Sequence, residues 1–157
     1  MPNFIINQIE YEEGFRSQPY YCSQRYPTVG YGFRIAAQHA PLPDFYLPRK
    51  AADVWLIEML TGTEAEMRKR QPINDALTTI GGNEPRRAVL ISMAHQLGVV
   101  GLLAFTKTLD LIRRGDYSAA AREMLNSRWA KQTPERAARH AQQLRSGVWA
   151  PEYGFGG

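Results

Sequence analysis

The chain has 157 residues and an ordinary apolar share, enough for one domain with a real core, and no apolar run is long enough to span a bilayer. Its one cysteine, Cys22, excludes an intrachain disulfide and fits a reducing compartment. The net charge of +4 is unevenly placed, with 8 Lys+Arg against 10 Asp+Glu in residues 1–84 and 11 against 5 in residues 85–157. Such an imbalance suits an anionic partner or a plain solvated surface and does not choose between them.

The amino terminus does not read as an export signal. Its apolar stretch (Phe4, Ile5, Ile6, Ile9) is short, no basic residue precedes it, and Glu10, Glu12 and Glu13 follow at once. Asn3 is placed to cap a first helix with the stripe Ile5, Ile6 and Ile9, and Gly14 stands where a left-handed cap would end it. Strand evidence follows between Phe15 and Phe33, where Val29, Tyr31 and Phe33 alternate with Thr28, Gly30 and Gly32. As a single strand, this segment would carry one bulky face and one nearly bare glycine face, open to close approach by a ligand.

Residues 34–47, with Pro41 and Pro43, read as loop. Pro48 opens a long helix to about Arg70, with Gly62 its weak point. A short helix and a loop ending at Gly81-Gly82 are expected between Pro72 and Asn83. Helices then run from about Pro85 to Leu97, stopping at Gly98, and from about Leu102 to Arg114, stopping at Gly115. Asp116 caps a third through Met124, and Thr133-Pro134-Glu135 opens a last one that ends near Gly147. The pattern predicts a mostly helical α+β fold of two lobes in a single domain, 1–157. Residues 14–60 form a small lobe with a hairpin and a connecting helix from about 48, and residues 1–13 with 71–157 form a helical lobe. A cleft between lobes is the default ligand site.

Glu13 ends the first helix, where the helix dipole disfavours a carboxylate and raises its affinity for a proton, as a general acid requires. Eight residues separate Glu13 from Cys22 and five separate Cys22 from Thr28, which leads into Thr28-Val29-Gly30-Tyr31-Gly32. Glu13-Gly14, Cys22 and this glycine segment, in this order and spacing, resemble the signature of the lysozymes of T-even bacteriophages and their relatives, a muramidase family of endolysins. Arg86–Met93, Gln96-Leu97-Gly98, Phe105-Thr106, Ser127-Arg128-Trp129, Gln132–Ala137 and Gly147-Val148-Trp149 are similar to family segments too. The resemblance thus extends over nearly the whole chain except about residues 34–80.

The resemblance implies hydrolysis of the β-1,4 bond between N-acetylmuramic acid and N-acetylglucosamine in bacterial peptidoglycan. Glu13 would protonate the glycosidic oxygen, the group at position 22 with Thr28 would hold or activate water, and Arg136 would pair with Glu13. Gly30, Gly32, Arg34, His95, Thr108 and Glu123 fall where the family lines its saccharide site. Position 22 departs from the usual aspartate. An unperturbed thiol, of pKa about 8.5, is only a few per cent ionised at neutral pH, and Arg25 could lower that value if it faced the sulfur. Base and nucleophile are both open roles for Cys22, and so are inverting and retaining outcomes. Phe33 replaces the family's histidine, and Trp129 and Trp149 read as core.

His39, His95 and His140 show no metal-ligand spacing, so neither a metal nor another cofactor is expected. No recognition-helix pattern supports nucleic-acid binding, and no membrane insertion is expected. The resemblance further implies a monomeric enzyme that accumulates in the cytoplasm of an infected host. It would reach the wall from the periplasmic side once a separate pore-forming protein has permeabilised the membrane. The competing expectation is a lysozyme-fold protein that binds peptidoglycan with little or no turnover, because position 22 is not aspartate.

Overall fold

The computed structural model describes residues 4–154. Within them the chain forms two compact units, divided between Met59 and Leu60. The fold is mostly helical α+β, with one three-stranded antiparallel sheet near the amino terminus.

In the first unit, α1 (Phe4–Glu13) ends as expected: Gly14 takes φ 72° and its N–H returns to Glu10 O at 2.7 Å. The proposed Asn3 cap lies outside the described residues. The sheet comprises β1 (Arg16–Tyr21), β2 (Pro27–Gly30) and β3 (Phe33–Arg34), in that order. Residues 28–33 are therefore not one strand. Val29 pairs with Phe33 across a tight reversal at Gly30-Tyr31-Gly32, with Gly30 at φ 67° and Gly32 at φ 80°.

The bare glycine face disappears with that correction. A Cβ on Gly30 would lie 2.9 Å from the Phe33 ring and 3.0 Å from Leu47, so this glycine makes room for the protein's own core. The hairpin forms because turning back stacks Phe33 on Trp55, with ring centroids 4.6 Å apart, and buries Tyr31, whose hydroxyl donates to Asp53. That burial outweighs the period-two pattern, which the glycines leave without a polar side to expose. Residues 35–48 carry no helix or strand, and Leu47 N–H closes onto Ser17 O at 2.7 Å.

The long helix α2 (Arg49–Arg68) follows Pro48 as predicted and passes through Gly62 unbroken. In the second unit, α3 (Gln71–Ile80) buries Ile73, Ala76, Leu77 and Ile80, a helical stripe. Next, α4 (Glu84–Leu103) is capped by Asn83, whose side chain accepts from Arg86 N–H, and it kinks at Gly98 (φ 80°, ψ 160°). The expected stop at Gly98 is thus a kink. Leu102 belongs to the far arm of α4, and the following helix, α5 (Thr106–Arg113), begins four residues later than predicted.

Asp116 caps α6 (Tyr117–Met124) by accepting from Ala119 N–H at 3.1 Å. A short helix that the sequence pattern does not announce, α7 (Arg128–Gln132), starts from a Ser127 cap. The last helix, α8 (Pro134–Ser146), ends at left-handed Gly147. Thr133 precedes it without capping it, because its hydroxyl donates to Trp129 O at 2.9 Å. Arg86 donates to the Leu144 and Arg145 carbonyls at 2.7 and 2.8 Å, satisfying orphan acceptors at the end of α8. A 3-10 turn, Pro151–Tyr153, closes the described chain.

Candidate active site

Of the signature residues of the first unit, Cys22 and Thr28 flank the β1–β2 connection. Cys22 N–H donates to Tyr26 O at 3.0 Å and Arg25 N–H to Cys22 O at 2.9 Å, a turn that needs Arg25 at φ 67°. The segment after β3 braces this turn. Ile35 N–H donates to Pro27 O at 3.0 Å, His39 N–H to Arg25 O at 2.8 Å, and Gln38 Nε2 to Gln24 O at 2.8 Å.

Inside this turn the Cys22 sulfur is half-buried. Burial alone would push its pKa up. Against that act the Tyr26 and Gln24 backbone N–H groups, the Thr28 hydroxyl and the Arg34 charge, and together they hold the thiol below the ordinary cysteine value. Each of these donors favours the thiolate over the thiol. Thr28 is buried and also reaches Tyr26 O at 2.7 Å, so its single proton can serve either the carbonyl or the sulfur.

Arg34, not Arg25, supplies the positive charge. The Arg25 guanidinium lies over the Tyr21 ring at 4.2 Å. Arg34 covers Tyr26 at 4.1 Å and donates to Gln24 Oε1 at 2.9 Å, gripping both residues whose amides face the sulfur. Sequence proximity favoured Arg25, whereas pairing across β2 and β3 brings Arg34 opposite Thr28.

Glu13, the last residue of α1, is half-exposed, and its Oε2 lies 3.1 Å from where a Cβ on Gly32 would sit. Glycine at 32 thus serves both the turn and the carboxylate. Tyr20, on β1, links the two groups electrostatically. Its pKa is raised, first by burial, with Arg16 opposing and the negative charges of Glu13 and Cys22 adding to the rise. One phenol therefore senses both groups. Tyr20 and the Tyr26 and Gln24 amides escaped the sequence reading. Backbone amides leave no residue-type signal there, although Tyr20 could have been suspected two positions before Cys22.

The other candidates lie in the second unit. Thr108, buried on α5, and Glu123, half-buried on α6, line one cavity of about 450 Å³ with Phe105, Lys107, Arg128 and Trp129. His95 is half-buried on α4, beside Gln96, whose side-chain oxygen accepts the Trp129 indole N–H at 2.9 Å. Trp129 is core, as expected. Arg136, 7% exposed on α8, donates to Ser92 Oγ at 3.2 Å.

Comparison with known proteins gives the family. The family model described as phage lysozyme matches residues 10–145. "Probable T4-type lysozyme 1" of Dictyostelium discoideum is 27% identical over 94% of this chain and 97% of its own length. "Pre-baseplate central spike protein Gp5" of Enterobacteria phage T4 is 27% identical over 88% of this chain, which spans only 27% of that larger protein. "Probable T4-type lysozyme 2" of Dictyostelium discoideum is 37% identical over 42% of this chain and 40% of its own. With a family model spanning most of the chain and a relative of matching length, this protein belongs to the phage lysozyme family of glycoside hydrolases.

Proposed function

We propose that this peptidoglycan hydrolase cuts the β-1,4 linkage between N-acetylmuramic acid and N-acetylglucosamine by acid–base chemistry, with Glu13 as general acid and Cys22 as base. Glu13 gives its proton to the glycosidic oxygen as the sugar ring develops oxocarbenium character. The Cys22 thiolate takes a proton from water, whose oxygen attacks the anomeric carbon from the opposite face. Both protons re-equilibrate with solvent, which restores the enzyme. An inverting route of this kind needs room for a water between the two groups.

The observation that carries the reading is the turn around Cys22, which sets two backbone amides, the Thr28 hydroxyl and the Arg34 charge about the sulfur and so lowers its pKa. Each of these groups favours the thiolate, the anionic form that would stand in for an aspartate. Arg136 supports the acid in this reading. Gly30, Gly32, Arg34, His95, Thr108 and Glu123 serve the saccharide, and buried Gly30 acts through the hairpin it permits. In a phage setting the enzyme would act as a monomeric endolysin, made in the host cytoplasm and admitted to the wall by a separate pore-forming protein.

A second setting has its own support. The similarity to a baseplate spike protein over 88% of this chain suits a virion-borne wall-cutting domain with the same chemistry. Clearing of outer-membrane-permeabilised cells tests the chemistry in either case. Glu13→Gln should lower the rate by about 10³-fold, within the range a general acid contributes. Complete alkylation of the sole thiol should abolish clearing. If alkylated protein clears at full rate, Cys22 is not the base. If neither the wild type nor Glu13→Gln clears, the protein is a wall binder without turnover.

A further inference from the structure

Three of the polar side chains buried in the helical unit form a chain where apolar ones would pack. Ser92 and His140 have no exposed surface and Arg136 is 7% exposed. Buried polar groups persist only when hydrogen-bonded, and a guanidinium most of all. Arg136 and His140 stand four residues apart on α8 and so share a face, and α4 delivers Ser92 to both. Arg136 Nη2 donates to Ser92 Oγ at 3.2 Å, Ser92 Oγ lies 2.8 Å from His140 Nε2, and His140 Nδ1 lies 3.3 Å from Tyr153 OH.

One direction of this chain gives each member a partner on both sides. A guanidinium only donates, so the serine oxygen accepts from it. Ser92 can then pass its own proton to His140 Nε2, leaving Nδ1–H to donate to Tyr153. In this arrangement one proton lies between each successive pair with the imidazole neutral, and each bond polarises the next. The ring is clamped as well, because Trp129 packs against it with centroids 5.9 Å apart. Tyr153 is fixed by its 3-10 turn, which Gln143 tethers by accepting from Ala150 N–H at 3.1 Å and donating to Pro85 O at 2.8 Å.

We infer that His140, acting through Ser92, is a positioning residue for Arg136. It holds one rotamer of a side chain that otherwise has many, before any substrate arrives. The inference rests on the proposed role of Arg136 toward the catalytic acid. Without the Ser92 bond the guanidinium would keep its charge but lose one of the contacts that fix its position. The consequence falls on kcat and leaves substrate binding alone.

The test compares Ser92→Ala, His140→Phe and His140→Gln, each alone and combined with Arg136→Met. It measures kcat and KM on soluble peptidoglycan fragments together with the folded fraction at the assay temperature. Ser92→Ala and His140→Phe should each lower kcat about tenfold, less than the roughly hundredfold that a 1 Å misplacement can cost, with KM unchanged. His140→Gln, whose side-chain oxygen can still accept from Ser92, should recover most of the loss. Combined with Arg136→Met, none should lower kcat further.

Wild-type kcat in both Ser92→Ala and His140→Phe, with Arg136→Met impaired, overturns the positioning role and leaves the reading of Arg136 standing. Full activity in Arg136→Met overturns that reading and the inference with it. A loss that only tracks the folded fraction, or that persists unchanged beside Arg136→Met, makes the chain structural and overturns the inference. Should His140→Phe fail to fold, Ser92→Ala, which deletes a single oxygen, still decides.

Discussion

The two units handle polar groups in opposite ways. In the first, residues 4–59, the sulfur and the carboxylate lie at the ends of elements and are held by turns. Gly14, Arg25, Gly30, Gly32 and His39 all have positive φ, and the donors to Cys22 are mostly backbone amides. In the second, residues 60–154, polar groups sit inside a helical core and are held by side chains, as in Ser92–His140–Tyr153. Turns can aim amides at an anion without burying it, which suits a group that must ionise and meet water. A helical core can fix a charged side chain but has no free amides to offer, since its backbone is already paired. Chemistry and support are thus built from different materials.

This contrast breaks first at the sulfur. Cys22→Ala should slow turnover by about a hundredfold while leaving the folded state nearly unchanged, because the site relies on backbone donors rather than on packing. Cys22→Asp should keep activity and move its rising pH limb down toward the carboxylate range of about 4. The sign follows from the proposed mechanism: a base works when deprotonated, so activity climbs as pH rises through its pKa. A Cys22→Asp variant with an unmoved limb would remove Cys22 from the base role.

The reverse behaviour is expected in the helical unit. Met93 is fully buried, and Met93→Ala should cost about 3 kcal/mol of stability by leaving a cavity, read from denaturant unfolding, with KM preserved in the folded fraction. Gly32→Ala joins the two kinds of effect. Its φ of 80° should cost roughly 1–2 kcal/mol for any residue with a Cβ, and the new methyl presses on Glu13 Oε2. Stability and kcat should therefore fall together, and a variant that lost only stability would free Glu13 from Gly32. The smallest effect is expected for Arg34→Gln. Removing that charge should raise the Cys22 pKa, seen as a shift to higher pH in the rate of thiol alkylation. No shift would assign the lowered value to the amides and Thr28 alone.

Much of the scaffold was legible before any coordinates. Pro48 before α2, the Asp116 cap, and the stops at Gly14, Gly115 and Gly147 hold because each depends on residues only a few positions apart. The spacing of Glu13, Cys22 and Thr28 was legible for the same reason, since a helix end, a strand and a turn fix it locally. The hairpin at residues 30–32 was not, because only the burial of Phe33 against Trp55, twenty-two residues away, favours turning over extending. Nor was Arg34 at the sulfur in place of Arg25, which depends on strand pairing. Ser92 and His140 are forty-eight residues apart and carried no separate signal. Sequence alone determined the boundaries at Gly14, Pro48, Asp116 and Gly147, because capping and backbone preference act within a turn or two. Tertiary structure decided which polar groups meet, because a hydrogen-bond partner is chosen by packing across the chain and leaves no mark on its neighbours in sequence.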